Sequence, residues 1–205
     1  AFIVLLLLWQ VCVMLSTSEI AFPTPVAVFK EFFYILAHKV GNYYTVVGHV
    51  LWSLSRVLVG FSIAAVFGII LGLTMGWFDY VRAVMMPIFN LLRPIAPLAW
   101  IPLAILWFGI GEKYKYFLIF IAAFVPFTLN AFAGASHVDK QLVGAARMLG
   151  ASKSQLFFEI VVPAAVPSIF SGAQVALSNS WMTMLAAEMV CATEGVGWII
   201  IAGQI

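Results

Sequence analysis

From Val57 to Trp77 the chain runs 21 residues without an ionisable side chain. Further apolar stretches follow at 83–108, 116–135 and 160–190. About 20 apolar residues in a helix cross the roughly 30 Å hydrocarbon layer of a bilayer. Inside lipid every backbone N–H and C=O must be satisfied within the protein, which leaves only helices and closed barrels. These stretches are long and strongly apolar, and they read as membrane-spanning helices. Only 9% of the residues are charged and 64% are hydrophobic, whereas soluble domains carry about 25% charged residues. The fold class is therefore an all-α integral membrane protein, a polytopic helical bundle.

The expected organisation is one transmembrane domain over residues 1–205 with five to six spans. Phe2 to Leu15 is too short to cross alone and lacks the basic start of a signal peptide, so residues 1–15 read as the remainder of a first span. Pro23 and Pro25 mark a polar break. Two amphipathic segments follow. Val26 to His38 carries Val26, Phe29, Phe32, Phe33 and Leu36 at helical spacing. Tyr43 to Val57 sets Val46, Val47, Val50, Leu51, Leu54 and Val57 against Thr45, His49, Ser53 and Arg56. Such segments lie on a membrane surface or pack against a bundle. In the span 57–77, Gly60, Ala64, Gly68, Gly72 and Gly76 recur every fourth residue and form a small-residue stripe for a close helix neighbour. Asp79 to Arg82 reads as a turn. The stretch 83–108 holds Pro87, Pro94, Pro97 and Pro102, which bend or break a helix. Gly109 to Lys115 is a short loop, 116–135 a span with Pro126 and Asn130 inside it, and 160–190 a long span. A glycine-rich break at Glu194 to Gly197 leads into a last apolar run within 195–205.

Several function classes find no support. The formal charge of +2 is thinly spread and contains no basic run, so nucleic acid is not a partner. Cys12 and Cys191 sit in or beside apolar stretches and read as packing residues. His38, His49 and His137 form no metal-binding spacing, and no nucleophile or acid–base pair suggests catalysis. No GxxxxGK[ST] phosphate loop occurs, so any ATP chemistry sits on another chain. Lys and Arg are similarly frequent in alternate loops, and charge bias does not set the orientation.

Residues 136–159 form one structured polar loop between two spans. Asp139 to Leu149 has helical spacing, with Leu142, Ala145, Ala146 and Leu149 on one side. Gly150 stands where a helix would stop, because glycine takes the left-handed conformation at little cost. Ser152 offers an N-cap, and Gln155 three residues on completes a capping box. Helix, sharp turn and helix follow, and the second helix runs into the 160–190 span. Ala145 and Ala146 keep one face thin enough to enter a groove. A connector that holds two spans at a fixed angle accounts for the same features.

Gly144-Ala145-Ala146, three residues, Gly150, nine residues, then Ile160-Val161-Val162-Pro163 resembles the EAA loop of ABC-importer permease subunits. The gaps are kept and Ala145, Ala146, Gly150, Ile160 and Pro163 match, while Gly144 replaces the glutamate and Val162 the leucine. Arg93-Pro94, Pro97 to Pro102, Trp107 to Gly111 and Ala187-Glu188 resemble the nitrate, sulfonate, taurine and bicarbonate branch. The resemblance extends over about Pro23 to Ile205. It implies a type I importer permease whose coupling helix in 136–159 is cytosolic, with Gly144, Ala145, Ala146, Leu149, Gly150, Ala151, Ile160 and Pro163 in the coupling loop. It implies two separate ATP-binding subunits carrying ATP and Mg, a second permease subunit (the same chain or a close relative) and an extracytoplasmic solute-binding protein. No cofactor is expected on this chain. The setting it implies is the cytoplasmic membrane of a prokaryote, and the cargo a small anion.

Ser171, Gln174 and Ser178 share a face of the 160–190 span, with Asn179, Ser180 and Thr183 nearby. Glu159 and Glu188 are about 44 Å apart along a helix, while Gln174 and Ser178 lie roughly 22 and 28 Å from Glu159, at mid-membrane. Polar groups at that depth line a path or bond to a neighbouring helix. Arg93 and Arg56 are the cations able to attract an anion, or to snorkel to headgroups. Glu188, which would repel an anion, suits a gate or a structural contact near the outer face. The competing function is an ATP-independent secondary transporter or channel, which a polar helix face and a broken span also fit.

Overall fold

The computed structural model describes residues 8–11, 13, 23–40 and 44–203. The proposed first span at 1–15 and Cys12 therefore lie wholly or mostly outside the described residues. The chain divides into two compact units, Ala1–Leu51 and Trp52–Ile205.

In the first unit, α1 (Pro25–Ala37) opens on Thr24, whose hydroxyl accepts the Ala27 N–H at 3.2 Å. Proline at the first helical position loses no hydrogen bond there. Val26, Phe29, Phe32, Phe33 and Leu36 are all left exposed. Two short strands that helical periodicity gives no sign of, β1 (Lys39–Val40) and β2 (Tyr44–Thr45), pair antiparallel with Lys39 opposite Thr45.

Helix α2 is continuous from Val46 to Trp77. From Val46 on, the amphipathic segment predicted at 43–57 is thus the first part of the span itself, since nothing between Val46 and Gly60 breaks a helix, while Tyr44 and Thr45 belong to β2. Its faces are arranged for lipid: His49, Ser53 and Arg56 are buried, while Val47, Val50, Leu51, Leu54 and Leu58 are exposed.

The rest of the second unit comprises α3 (Asp79–Leu92), a 3₁₀ turn (Pro97–Trp100), α4 (Ile101–Phe108), α5 (Glu112–Ser136), α6 (Lys140–Met148), α7 (Lys153–Gln155), a π turn (Leu156–Val161), α8 (Val162–Cys191) and α9 (Val196–Ala202). Asp79 to Arg82 is the first turn of α3, entered after a single extended residue, Phe78. The stretch 83–108 is not one straight span: α3 and the segment from Pro97 to Phe108 meet at 83°. Pro97 forces extended backbone on the residue before it, whereas Arg93, before Pro94, stays helical at φ −54°, ψ −41°. Ala96 accordingly sits at φ −60°, ψ 137°. Pro87 and Pro126 remain inside α3 and α5.

The core of this unit is α2, α5 and α8. A Cβ on Gly60 would come within 2.6 Å of Ile119 Cγ2, and one on Gly68 within 2.8 Å of Phe127 Cβ. Gly72 and Gly76 abut the Thr128 carbonyl and Ala135 just as closely, and Ala64 is fully buried. The small-residue stripe therefore seats α5. On the other side of α5, Gly134 faces Ala165 and Gly172 faces Asn130. Phe127 fills the space between Ala64 and Ala176. Removing lipid from such surfaces leaves close packing as the main attraction, which small residues maximise.

Candidate functional site

At the end of the bundle where Trp77 and Phe78 pack on Phe157, the chain leaves α5 and makes the polar loop. The Asp139 side chain caps α6 by accepting the Gln141 N–H at 2.8 Å. The helix stops as its glycine requires: Gly150 has φ +86°, its N–H donates to the Arg147 carbonyl, and the Ala151 N–H donates to Ala146 at 3.1 Å. These are the two bonds of a Schellman stop. Ser152 and Gln155 form the reciprocal capping box, at 2.9 and 3.2 Å. In the first helix of the loop and its stop, Leu142, Met148 and Leu149 are exposed, at 53, 86 and 89%, and Phe158, next to the span, is exposed at 65%. Ala145 is also exposed, and a Cβ on Gly144 would meet nothing within 4 Å. A methyl group at 144 would therefore meet no clash.

The second half of the loop does not enter the span as a plain α-helix. Leu156 to Val161 is a π turn, in which the Val162 N–H donates to Phe157. Pro163 follows it. A proline ring clashes with the carbonyl four residues back and leaves it without a donor, and a widened turn accommodates both faults. Leu156 and Val161 are buried while Pro163 is exposed.

Opposite this loop end, α2, α5 and α8 carry a charge cluster that sequence reading did not assemble. Arg56 and Glu188 are 2 and 1% exposed and form an ion pair at 2.9 Å. Ser53 donates to both Glu188 oxygens, at 2.8 and 3.0 Å, and the Gly197 N–H donates to Oε2 at 3.0 Å. Arg56 also donates to Glu112 at 2.8 Å and to the Glu194 carbonyl at 3.2 Å, and Lys115 donates to Glu112 at 2.7 Å. Two cations meet two carboxylates, so the cluster is neutral. The Val196 N–H donates to Ser53, and Gly195, at φ +119°, lies so close to the Glu188 carboxylate that no Cβ fits. Glu188 thus fastens the loop before α9 and is enclosed rather than turned to an open path. The signal available in sequence was that two opposite charges in apolar spans must find partners.

The other path candidates lie elsewhere. Ser171, Gln174 and Ser178 are exposed on α8, with Ser171 and Ser178 bonded back to the carbonyls of Pro167 and Gln174. Ser180 and Thr183, on the same helix, are buried. Arg93 is exposed and borders a partly open cavity of ≈ 390 Å³ lined by the bent α3–α4 pair, α5 and Asn179 of α8. Its depth follows from neighbours. Helix α3 runs antiparallel to α5, with Arg82 over the Phe132 ring and Phe89 against Phe124. Phe124 lies about 18 Å along α5 from Glu112, so Arg93, one turn beyond Phe89, lies about 12 Å from the Glu112 level. That level falls inside the length of α5, an apolar helix long enough to cross a membrane.

The described residues form a bundle of apolar membrane-length helices with a capped polar loop at one end. The chain belongs to the family of binding-protein-dependent transport system inner membrane components, which matches residues 64–205. It is 36% identical over 192 residues to the taurine transport system permease protein of Escherichia coli, covering 94% of this chain and 70% of the relative. It is 39% identical over 204 residues to the nitrate import permease protein of Synechocystis sp., covering 98 and 74%. Identity to the bicarbonate transport system permease protein of Synechococcus elongatus is 35% over 202 residues, covering 95 and 72%. The chain is thus an ABC-importer permease of the inner membrane, a transport subunit, and the ATP-independent reading falls away.

Proposed function

We propose that this permease carries a small anion inward through a dimer of two such subunits, driven by two ATPase subunits that grip residues 136–159 and supplied by an extracytoplasmic binding protein. The carrying observation is the apolar knuckle of Leu142, Met148 and Leu149 on a capped helix-turn-helix. Exposed leucine and methionine on an otherwise polar loop cost solvation unless a partner covers them. Helix insertion into a groove is the matching docking mode. ATP and Mg belong to the partner subunits, since the chain holds no phosphate loop. The anionic cargo is supported by the taurine, nitrate and bicarbonate relatives. Ser171, Gln174 and Ser178, polar groups exposed on a membrane helix, suit the face turned to the second subunit and the path between them. Co-purification of the chain with its encoded neighbours tests the coupling: wild type retains the ATPase and Leu149→Asp loses it, whereas equal retention counts against docking at this loop.

A further inference from the structure

We propose that Arg93 is an anion-binding station within the membrane, taking the oxyanion head of the cargo in the cavity beneath the α3–α4 bend; the inference rests on the importer reading above and names a site for its cargo.

Three observations carry it. Among the described residues within the apolar spans, Arg56 is consumed by Glu112 and Glu188, and Lys115 by Glu112, whereas no acid or hydrogen-bond acceptor among the described residues pairs with the Arg93 side chain. No carboxylate lines the cavity that Arg93 borders; its walls include Trp100, Trp107 and Phe117, and Asn179 supplies an amide. Its volume of ≈ 390 Å³ falls near the small end of ligand pockets, about 300–1,000 Å³. An unpaired guanidinium at this depth is costly to keep, and intramembrane charges mark ion routes. Aromatic walls lower the local dielectric and strengthen its pull on an anion. The guanidinium fork matches the paired oxygens of a carboxylate, nitrate or sulfonate, and the Asn179 amide can donate a further bond. The proline-built bend has a purpose in this account: by turning the chain 83° it opens the space in front of Arg93.

A lipid headgroup offers the same chemistry through its phosphate, and the test separates the two. The complete transporter, with its ATPase and binding protein, is reconstituted in phosphatidylcholine vesicles with and without phosphatidylglycerol, and uptake of nitrate, taurine and bicarbonate is measured. Arg93→Gln is expected to lower uptake of the carried anion by about ten-fold or more, as loss of one charge-assisted contact does, in both lipid mixtures. ATP hydrolysis stimulated by the binding protein should persist, and Arg93→Lys should recover part of the uptake. If Arg93→Gln fails to assemble, Asn179→Asp decides, because a carboxylate in the cavity should occupy the arginine and depress uptake in the same way. Wild-type uptake in the assembling variant overturns the proposal, including the case in which Arg93→Gln only loses bound phosphatidylglycerol. Absence of ATP-driven uptake of any of the three anions by wild type is a different result, and it overturns the importer-of-anions reading together with this site.

Discussion

Glu188 shows how far a single residue's role depends on neighbours distant in sequence. As an acid near the end of an apolar span it suggests a gate or a structural contact; in the structure its two oxygens are filled by Arg56, Ser53 and the Gly197 amide. Breaking a buried pair from one side strands a charge and costs about 3–5 kcal/mol, while replacing both partners with apolar groups is often neutral. Arg56→Met and Glu188→Met should therefore each lower the thermal midpoint of the purified protein more than the double variant does. A double variant as unstable as the sum of the singles would show that the two do not act as a pair. Gly195→Ala, which sets a Cβ against the Glu188 carboxylate, should destabilise the same end, visible as faster hydrogen exchange in residues 192–197. Sequence alone reveals that Arg56 and Glu188 need partners, but the pairing is 132 residues apart and no local spacing encodes it.

Elements were more legible than pairings wherever local chemistry decides. Gly150, Ser152 and Gln155 specify their turn and cap through bonds spanning five residues or fewer, and those bonds are present. The 83° bend was only half legible, because proline density marks a break without giving its angle. The π turn before Pro163 and the β1–β2 hairpin had no sequence signal in helical periodicity. Two glycines of the loop should respond in opposite directions. Gly150→Ala forces a Cβ into left-handed backbone and should cost about 1 kcal/mol, whereas Gly144→Ala, mid-helix with open space around it, should gain about 0.5–1 kcal/mol. Amide exchange across residues 140–152 reads both, and a stabilising Gly150→Ala would refute the stop as described. On α2, Gly72→Val must displace the Thr128 carbonyl or Ala131 and should cost about 1–3 kcal/mol by overpacking, read as a lower melting midpoint.

At the scale of the whole molecule, the second unit is built from opposite ends. One end is fixed by a neutral charge cluster built on the buried Arg56–Glu188 pair, and the other presents a capped helix with uncovered leucine and methionine. Between them, α2, α5 and α8 are joined by small residues at near-contact distance. That frame is suited to moving as a body, which alternating access requires of a transporter half. In the proposed two-subunit assembly, the exposed stripe of Ser171, Gln174 and Ser178 would form part of the meeting surface of the two halves. Gln174→Cys, in a chain with Cys12 and Cys191 replaced by Ala, should crosslink between copies in the assembled transporter, and the absence of any inter-copy product would place this stripe elsewhere. The most direct test of the account is solute uptake into vesicles holding the permease with its ATPase and binding protein, compared between wild type and Leu149→Asp. Wild type should take up solute only with ATP, and the variant should lose that uptake as the ATPase lets go. Uptake at the wild-type rate without ATP, or undiminished ATP-driven uptake by Leu149→Asp, would contradict it.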